Sequence, residues 1–332
     1  MRAAALIAVL VAGWVLANSH GSPRSAAQMA SRVSYPLASQ SARSTSGGHP
    51  GAPAESRARR PPPFATGERV LTFEDRSRLI RLPGRPPQPR RLVTVIRYPE
   101  HAVGPFPLVV FGHGFAVTPA YYHRLLRAWA QAGYVVAAPV FPLGNAHAPG
   151  GPVEADIVNQ PRDMSFVITR LLAATAELHG PLGGLIDPRQ IAVSGQSDGG
   201  ETALAVAYDR HYVDRRVRAA IILSGAQIPG GGGFESTAAR PPLLATQGTA
   251  DTTNAPASTY AFFRLASRPK YLLKLIGAGH LPPYTYEQPQ LSIVERVTIA
   301  FLDRYLKHVP TAIRRLVRAG DVAGRSAIEA RP

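Results

Sequence analysis

The chain has 332 residues, 45% of them hydrophobic and 17% charged, which is enough apolar material for a sizeable buried core. Its net charge is +16 at pH 7, but no basic run interleaved with aromatic residues occurs, so nucleic-acid binding is disfavoured and contact with an anionic cell-envelope or lipid surface stays open. The absence of cysteine excludes disulfides, thiol catalysis, thiolate metal sites and a lipoprotein anchor.

The N-terminal segment has the pattern of an export signal followed by a linker. Met1 and Arg2 precede an apolar run over residues 3–17, which is short for a membrane span of about 20 residues and typical of a signal-peptide core. We predict a signal peptide at 1–20, with an uncleaved N-terminal anchor as the alternative. Residues 21–63 are rich in Ser, Ala, Pro and Arg and predict a disordered linker. A secreted or cell-envelope-associated protein is therefore expected.

From residue 64 onward, short apolar runs alternate with amphipathic segments. Such alternation predicts one α/β domain at 64–310, with a mostly parallel sheet covered by helices on both faces. The basic tail at 311–332 is expected to pack loosely, with a helix near 312–319. Predicted strands lie at 70–73, 92–96, 107–111, 135–140, 191–194, 219–223, 242–246 and 271–276, and predicted helices at 121–132, 163–176, 200–208, 257–266 and 291–305.

The motif Gly-Gln-Ser-Asp-Gly at 195–199 lies between a predicted strand and a predicted helix. Gly-x-Ser-x-Gly in that position predicts a nucleophile elbow, a tight turn that presents the hydroxyl of Ser197 above the sheet edge. Side chains at 195 and 199 would collide where the helix doubles back across the strand. The helix N-terminus then points free N–H groups toward the serine.

Two further residues follow strands at the same predicted edge. Reactive groups in a parallel sheet collect at the carboxyl ends of the strands, and there Asp251 follows strand 242–246 and His280 follows strand 271–276. The order Ser, Asp, His is the one that the elbow pattern requires. We predict Ser197 as nucleophile, His280 as general base and acid, and Asp251 as the group that orients His280. The alternative for His280 is a surface histidine without a catalytic role. The alternative for Asp251 is a helix cap or an Asx turn.

The strand at 107–111 ends in Gly-His-Gly-Phe at 112–115. We predict an oxyanion hole made of the backbone N–H groups of Phe115 and Asp198. Gly114, Phe115 and Gln196 are expected to line the substrate pocket. His113 is expected to fix the loop by hydrogen bonds rather than to transfer protons.

Together these four motifs resemble the α/β-hydrolase superfamily over roughly residues 68–309. Within it, the chain is similar to the branch of dienelactone hydrolases, platelet-activating-factor acetylhydrolases and cutinase-like polyester hydrolases. The resemblance implies the α/β-hydrolase fold and a serine esterase that forms an acyl-enzyme and needs no metal or organic cofactor. Residues 224–241 are too few for the helical lid of many lipases, so no large lid domain and an open site are expected. The expected partner is a lipid, small-molecule or polymer ester.

Two other functions remain open. A cell-envelope acyltransferase would use the same triad, with an alcohol in place of water. A catalytically inactive binding protein on a hydrolase fold is the second alternative, and the intact Ser197, Asp251 and His280 argue against it.

Overall fold

Nine β-strands of the described chain form one sheet, in the order β1-β2-β4-β3-β5-β6-β7-β8-β9. The structure, a computed structural model, describes residues 63–82, 84–234 and 240–332. The predicted signal peptide and, apart from Pro63, the predicted linker lie outside these ranges. The strands are β1 (Thr66–Ile80), β2 (Gln88–Pro99), β3 (Phe106–Gly112), β4 (Val135–Pro139), β5 (Ile186–Gln196), β6 (Val217–Leu223), β7 (Leu243–Gly248), β8 (Lys270–Leu275) and β9 (Ser326–Arg331).

Strands β4, β3, β5, β6, β7 and β8 are parallel neighbours, whereas β1, β2 and β9 pair antiparallel at the two edges. The central strands are buried along nearly their whole length, as their continuous apolar runs predict. The predicted mostly parallel α/β sheet is thus confirmed.

Helices cover both faces of the sheet. Side chains of α2, α3 and α4 contribute to one hydrophobic core, and those of α1, α6 and α7 contribute to another on the opposite face. Along β3 the side chains alternate, since Leu108 and Val110 enter the first core and Val109 and Phe111 the second. The helices are α1 (His123–Gln131), α2 (Gln160–Ala176), α3 (Asp198–Tyr208), α4 (Pro256–Leu265), α5 (Pro282–Thr285), α6 (Gln290–Tyr305) and α7 (Ala312–Gly320), with short 3₁₀ helices at Pro119–Tyr122 and Glu154–Asn159.

The C-terminal segment corrects one expectation. It contains the predicted helix, α7, but it does not pack loosely, because β9 adds a ninth strand alongside β8. Leu316 of α7 is fully buried, and Ile328 of β9 packs against the same core. Strand β9 was missed because its residues, Ser-Ala-Ile-Glu-Ala-Arg, have a mixed polar composition suited to an edge strand and not to a buried one.

A buried ion network fixes the long connection between β4 and α2. Arg90 of β2, 2% exposed, donates to both carboxylate oxygens of Asp156 at 2.8 and 2.7 Å and to those of Asp163 at 2.8 and 2.6 Å. Bidentate pairs of this kind set the position of both partners. The 3₁₀ helix at Glu154–Asn159 is therefore held firmly against the sheet.

Candidate active site

Ser197 lies at the turn between β5 and α3, in a backbone conformation with φ 56° and ψ −126°. Non-glycine residues rarely adopt a positive φ, and such strain is characteristic of a nucleophile elbow. A Cβ atom at Gly195 would overlap the carbonyl oxygen of Gly199, and one at Gly199 would overlap that of Gly112. The collision expected from the sequence is thus present, and α3 can approach β3 and β5 this closely only through glycine.

The structure brings Ser197, His280 and Asp251 together in one hydrogen-bonded chain. Ser197 Oγ lies 2.8 Å from His280 Nε2, and His280 Nδ1 lies 2.8 Å from Asp251 Oδ2. The three residues follow β5, β8 and β7, and Ser197 and His280 are 83 positions apart in the chain. An imidazole in this position accepts the serine proton at Nε2 and donates to the carboxylate from Nδ1.

Both carboxylate oxygens of Asp251 accept hydrogen bonds. Oδ1 accepts the backbone N–H groups of Thr253 and Asn254 at 2.9 and 3.0 Å, and Oδ2 also accepts Gln247 Nε2 at 3.1 Å. Burial by itself raises the pKa of Asp251, but the hydrogen bond and charge of His280 and the two backbone donors outweigh it, so the pKa is lowered. The side chain is therefore an ionised acceptor for the histidine.

The two predicted oxyanion donors come from different segments of the chain. Asp198 is the first residue of α3, and Phe115 follows the loop after β3. His113 Nδ1 donates to the carbonyl oxygen of Gly114 at 2.8 Å, and its Nε2 accepts the backbone N–H of Phe141 at 3.0 Å. Because Gly114 O and Phe115 N belong to one planar peptide, this bond also orients the Phe115 N–H. Burial lowers the pKa of His113 to about 4, which keeps the ring neutral and suits it to holding the loop.

Three carboxylates beside the nucleophile were not anticipated as a group. Burial raises the pKa of Asp198 to about 6, with a further rise from Glu154, whereas His280 and the backbone N–H of Asp198 itself lower it. Burial raises the pKa of Glu201 to about 8, with the charges of Asp198 and Glu154 adding to it and a hydrogen bond with Asn254 opposing it. Glu154 comes from the 3₁₀ helix that the Arg90 network anchors. No local sequence signal places it near the elbow.

Gln196 is buried beside the triad. Its Oε1 lies 2.7 Å from Tyr122 Oη and its Nε2 lies 3.0 Å from the carbonyl oxygen of His280, and its place in the substrate pocket stays a prediction. A Cβ atom on Gly114 would crowd Gln196 Oε1 at 2.9 Å, so that glycine serves the packing of its own loop. Phe115 remains partly exposed. Tyr122 lies in a 3₁₀ helix with no motif to mark it.

A cavity of about 180 Å³ lies along α3, and Glu201, one helical turn after Ser197, contributes to its lining. Leu204 and Tyr208 of α3 form one wall, and Ile228 and the glycine loop after β6 form another. The structure describes the connection from β6 to β7 except for residues 235–239. The described part of this connection contains no helix and no strand of the sheet.

In the part of the chain that the structure describes, no group of three or more His, Asp or Glu side chains is arranged to hold a metal ion. Among residues 63–82, 84–234 and 240–332, no helix combines the length and the apolar composition that crossing a membrane requires.

Comparison with known proteins identifies the family. A family model described as Chlorophyllase matches residues 74–258, more than half of the chain, a range that includes Ser197 and Asp251 and ends before His280. Chlorophyllase-1 of Arabidopsis thaliana is 32% identical over 122 residues, which cover 37% of this chain and 33% of that protein. The match thus spans about a third of the length of this curated relative.

The α/β-hydrolase superfamily predicted from the sequence is confirmed, and the family model that matches within it is that of chlorophyllase. The finer likeness to dienelactone hydrolases, platelet-activating-factor acetylhydrolases and cutinase-like polyester hydrolases stays a prediction. The chain belongs to the chlorophyllase family, a family of α/β-hydrolase-type esterases.

Proposed function

We propose that this protein hydrolyses carboxylic esters through an acyl-enzyme on Ser197. The observation that carries the proposal is the chain of two 2.8 Å contacts from Ser197 Oγ through His280 to Asp251. Membership of an esterase family supports the same reaction class.

In the proposed mechanism, His280 Nε2 takes the Ser197 proton as Oγ attacks the ester carbonyl carbon. The carbonyl oxygen becomes an oxyanion, which the N–H groups of Phe115 and Asp198 stabilise. Collapse of this intermediate breaks the bond to the alcohol, and His280 returns the proton to the leaving alkoxide. Water, deprotonated by His280, then attacks the acyl-enzyme. The bond from the acyl carbon to Ser197 Oγ breaks, Oγ takes the proton back from His280, and the carboxylic acid is released.

The substrate is proposed to be an ester with a large apolar portion, drawn from the lipid, polymer or chlorophyll esters. The cavity along α3 supports this through the apolar side chains of Leu204, Tyr208 and Ile228, which share its lining with polar groups such as Glu201. The name of the matching family supports including chlorophyll among the substrates that are tested.

The test compares the full chain with its Ser197→Ala variant on p-nitrophenyl esters from acetate to palmitate, chlorophyll and an amorphous polyester film. We expect kcat/KM to fall by at least about 10³-fold in Ser197→Ala. Ser258→Ala, on α4, is the matched control and should retain wild-type activity. Equal activity of Ser197→Ala and the wild type would refute the mechanism, and turnover that requires an added alcohol would indicate the acyltransferase.

We also propose that residues 1–20 direct export, with secretion or retention at the cell envelope as the outcome. The support is the basic start and the apolar run at 3–17. Expression of the full chain in a bacterial host, followed by fractionation and N-terminal sequencing, tests this. A processed N-terminus near residue 20 outside the cytoplasm is expected, and intact Met1 in the cytoplasm alone would contradict the proposal.

A further inference from the structure

Two buried side chains outside the triad connect its separate loops. Tyr122 Oη accepts the backbone N–H of Gly114 at 3.2 Å and donates to Gln196 Oε1 at 2.7 Å. Gln196 Nε2 then donates to the carbonyl oxygen of His280 at 3.0 Å. The chain of bonds therefore runs from the oxyanion loop, past the residue that precedes Ser197, to the loop that carries the general base.

The direction of each bond follows from the chemistry of the partners. The carbonyl oxygen of His280 can only accept, so the amide nitrogen of Gln196 must face it and the amide oxygen must face Tyr122. The N–H of Gly114 can only donate, so the hydroxyl of Tyr122 uses its lone pair there and its proton for Gln196. Every group in the chain thus has a partner of the required kind.

Both side chains are rigidly placed. Tyr122 is fully buried, and its ring packs against Phe111 at the end of β3, with the ring centroids 4.8 Å apart. Gln196 is the last residue of β5 and is 1% exposed. Burial raises the pKa of the Tyr122 hydroxyl, so it stays protonated and keeps its donor role.

Gln196 also touches the reacting end of the imidazole. Its Nε2 lies 3.3 Å from His280 Nε2, the atom that accepts the Ser197 proton. The same amide group thus contacts His280 both at its ring and at its backbone carbonyl. The amide therefore holds the imidazole and the loop that carries it in place.

We propose that Tyr122 and Gln196 are positioning residues for ester hydrolysis, which hold the oxyanion loop and the His280 loop at fixed positions around Ser197. The inference rests on the proposed function. A shift of either loop misplaces the base or the oxyanion donor. Both groups act in the chemical step and not in substrate binding.

The experiment measures kcat and KM of p-nitrophenyl butyrate hydrolysis for Tyr122→Phe, Gln196→Met and the double variant of the full chain. Tyr121→Phe is the matched control. It removes the same hydroxyl group from the neighbouring residue, whose side chain is 52% exposed. Thermal melts and fluorophosphonate labelling rates are recorded for each variant.

We expect each single variant to lower kcat about tenfold or more, with KM changed less than about twofold. The double variant should lose about as much as either single variant and not the product of the two, because both interrupt the same chain. Gln196→Met should also slow fluorophosphonate labelling of Ser197 by about the factor by which it lowers kcat, with KM little changed, a pattern that loss of packing alone would not produce.

The proposal is overturned if Tyr122→Phe matches Tyr121→Phe, or if the losses of the two single variants multiply in the double variant. Should Tyr122→Phe fail to fold, kcat, KM and the labelling rate of Gln196→Met decide the matter. A wild-type chain inert to esters and to the fluorophosphonate would refute the proposed function and this inference together. An active wild type with unaffected variants would refute the inference alone.

Discussion

At the scale of single residues, Asp251 combines two roles that the sequence presented as alternatives. Its Oδ1 closes an Asx turn on Thr253 and Asn254, while its Oδ2 faces His280. A carboxylate has two oxygens with about four acceptor sites, so one side chain can serve both the turn and the imidazole. The turn fixes the carboxylate, since the backbone donors on Oδ1 leave Oδ2 pointing to His280.

Glu201 makes stability depend on pH. Its pKa is raised from 4.5 to about 8 by burial and by neighbouring carboxylates, so the folded chain keeps a proton that the unfolded chain loses above pH 4.5. Stability therefore falls as pH rises from about 5 to about 8. We expect Glu201→Gln to be more stable than the wild type at pH 8.5, by about 2 kcal/mol or more, and little changed at pH 4.

Thermal melts at pH 4, 6 and 8.5 check this prediction, with the exposed Glu177→Gln as the control. The wild type should lose Tm between pH 5 and pH 8, and Glu201→Gln should lose less of it. Parallel Tm curves for the two proteins would show that the proton on Glu201 does not contribute to stability.

At the scale of elements, the elbow depends on the contact of α3 with β3 and β5. Gly199 lies against the carbonyl oxygen of Gly112, and no side chain fits between them. The close approach brings the N-terminus of α3 to the nucleophile, which is where its free N–H groups are needed. Local packing and catalytic geometry thus have the same cause.

Gly199→Ala is expected to destabilise the fold by about 3 kcal/mol or more, because the added methyl group must push α3 away from β3. Gly279→Ala is the control for stability, because a Cβ atom there meets nothing within 4 Å. Urea unfolding of both variants measures the difference. Equal midpoints for the two variants would mean that the elbow relaxes without cost.

At the scale of the whole molecule, the C-terminal segment completes the sheet. Strand β9 pairs with β8 from Lys270 opposite Arg331 to Leu275 opposite Ser326, and it covers the edge of the strand that leads to His280. An uncovered β8 would expose unpaired N–H and C=O groups, which promote aggregation.

Contact with anionic surfaces, suggested by the net charge of +16, stays a prediction.

Deletion of residues 321–332 is therefore expected to lower Tm by about 5 °C or more and to increase aggregation on heating. Arg314→Gln on the exposed side of α7 controls for the loss of a basic residue and should leave Tm unchanged. Differential scanning calorimetry and light scattering measure both effects. An unchanged Tm after the deletion would restore the interpretation of this segment as a loose tail.

The sequence by itself determined the alternation of strands and helices, the elbow, and the three residues that meet in space, Ser197, Asp251 and His280. These follow from local periodicity and from the rule that the carboxyl ends of parallel strands share one edge. Strand β9 escaped prediction, since an edge strand needs no apolar run.

Only the tertiary structure decided the partners of Gln196, the role of Tyr122 and the grouping of Glu154 with Asp198 and Glu201. Gln196 Oε1 meets a hydroxyl 74 positions away and its Nε2 a carbonyl 84 positions away. Such contacts depend on which way each side chain points after the sheet has formed, and no local pattern in the chain specifies that.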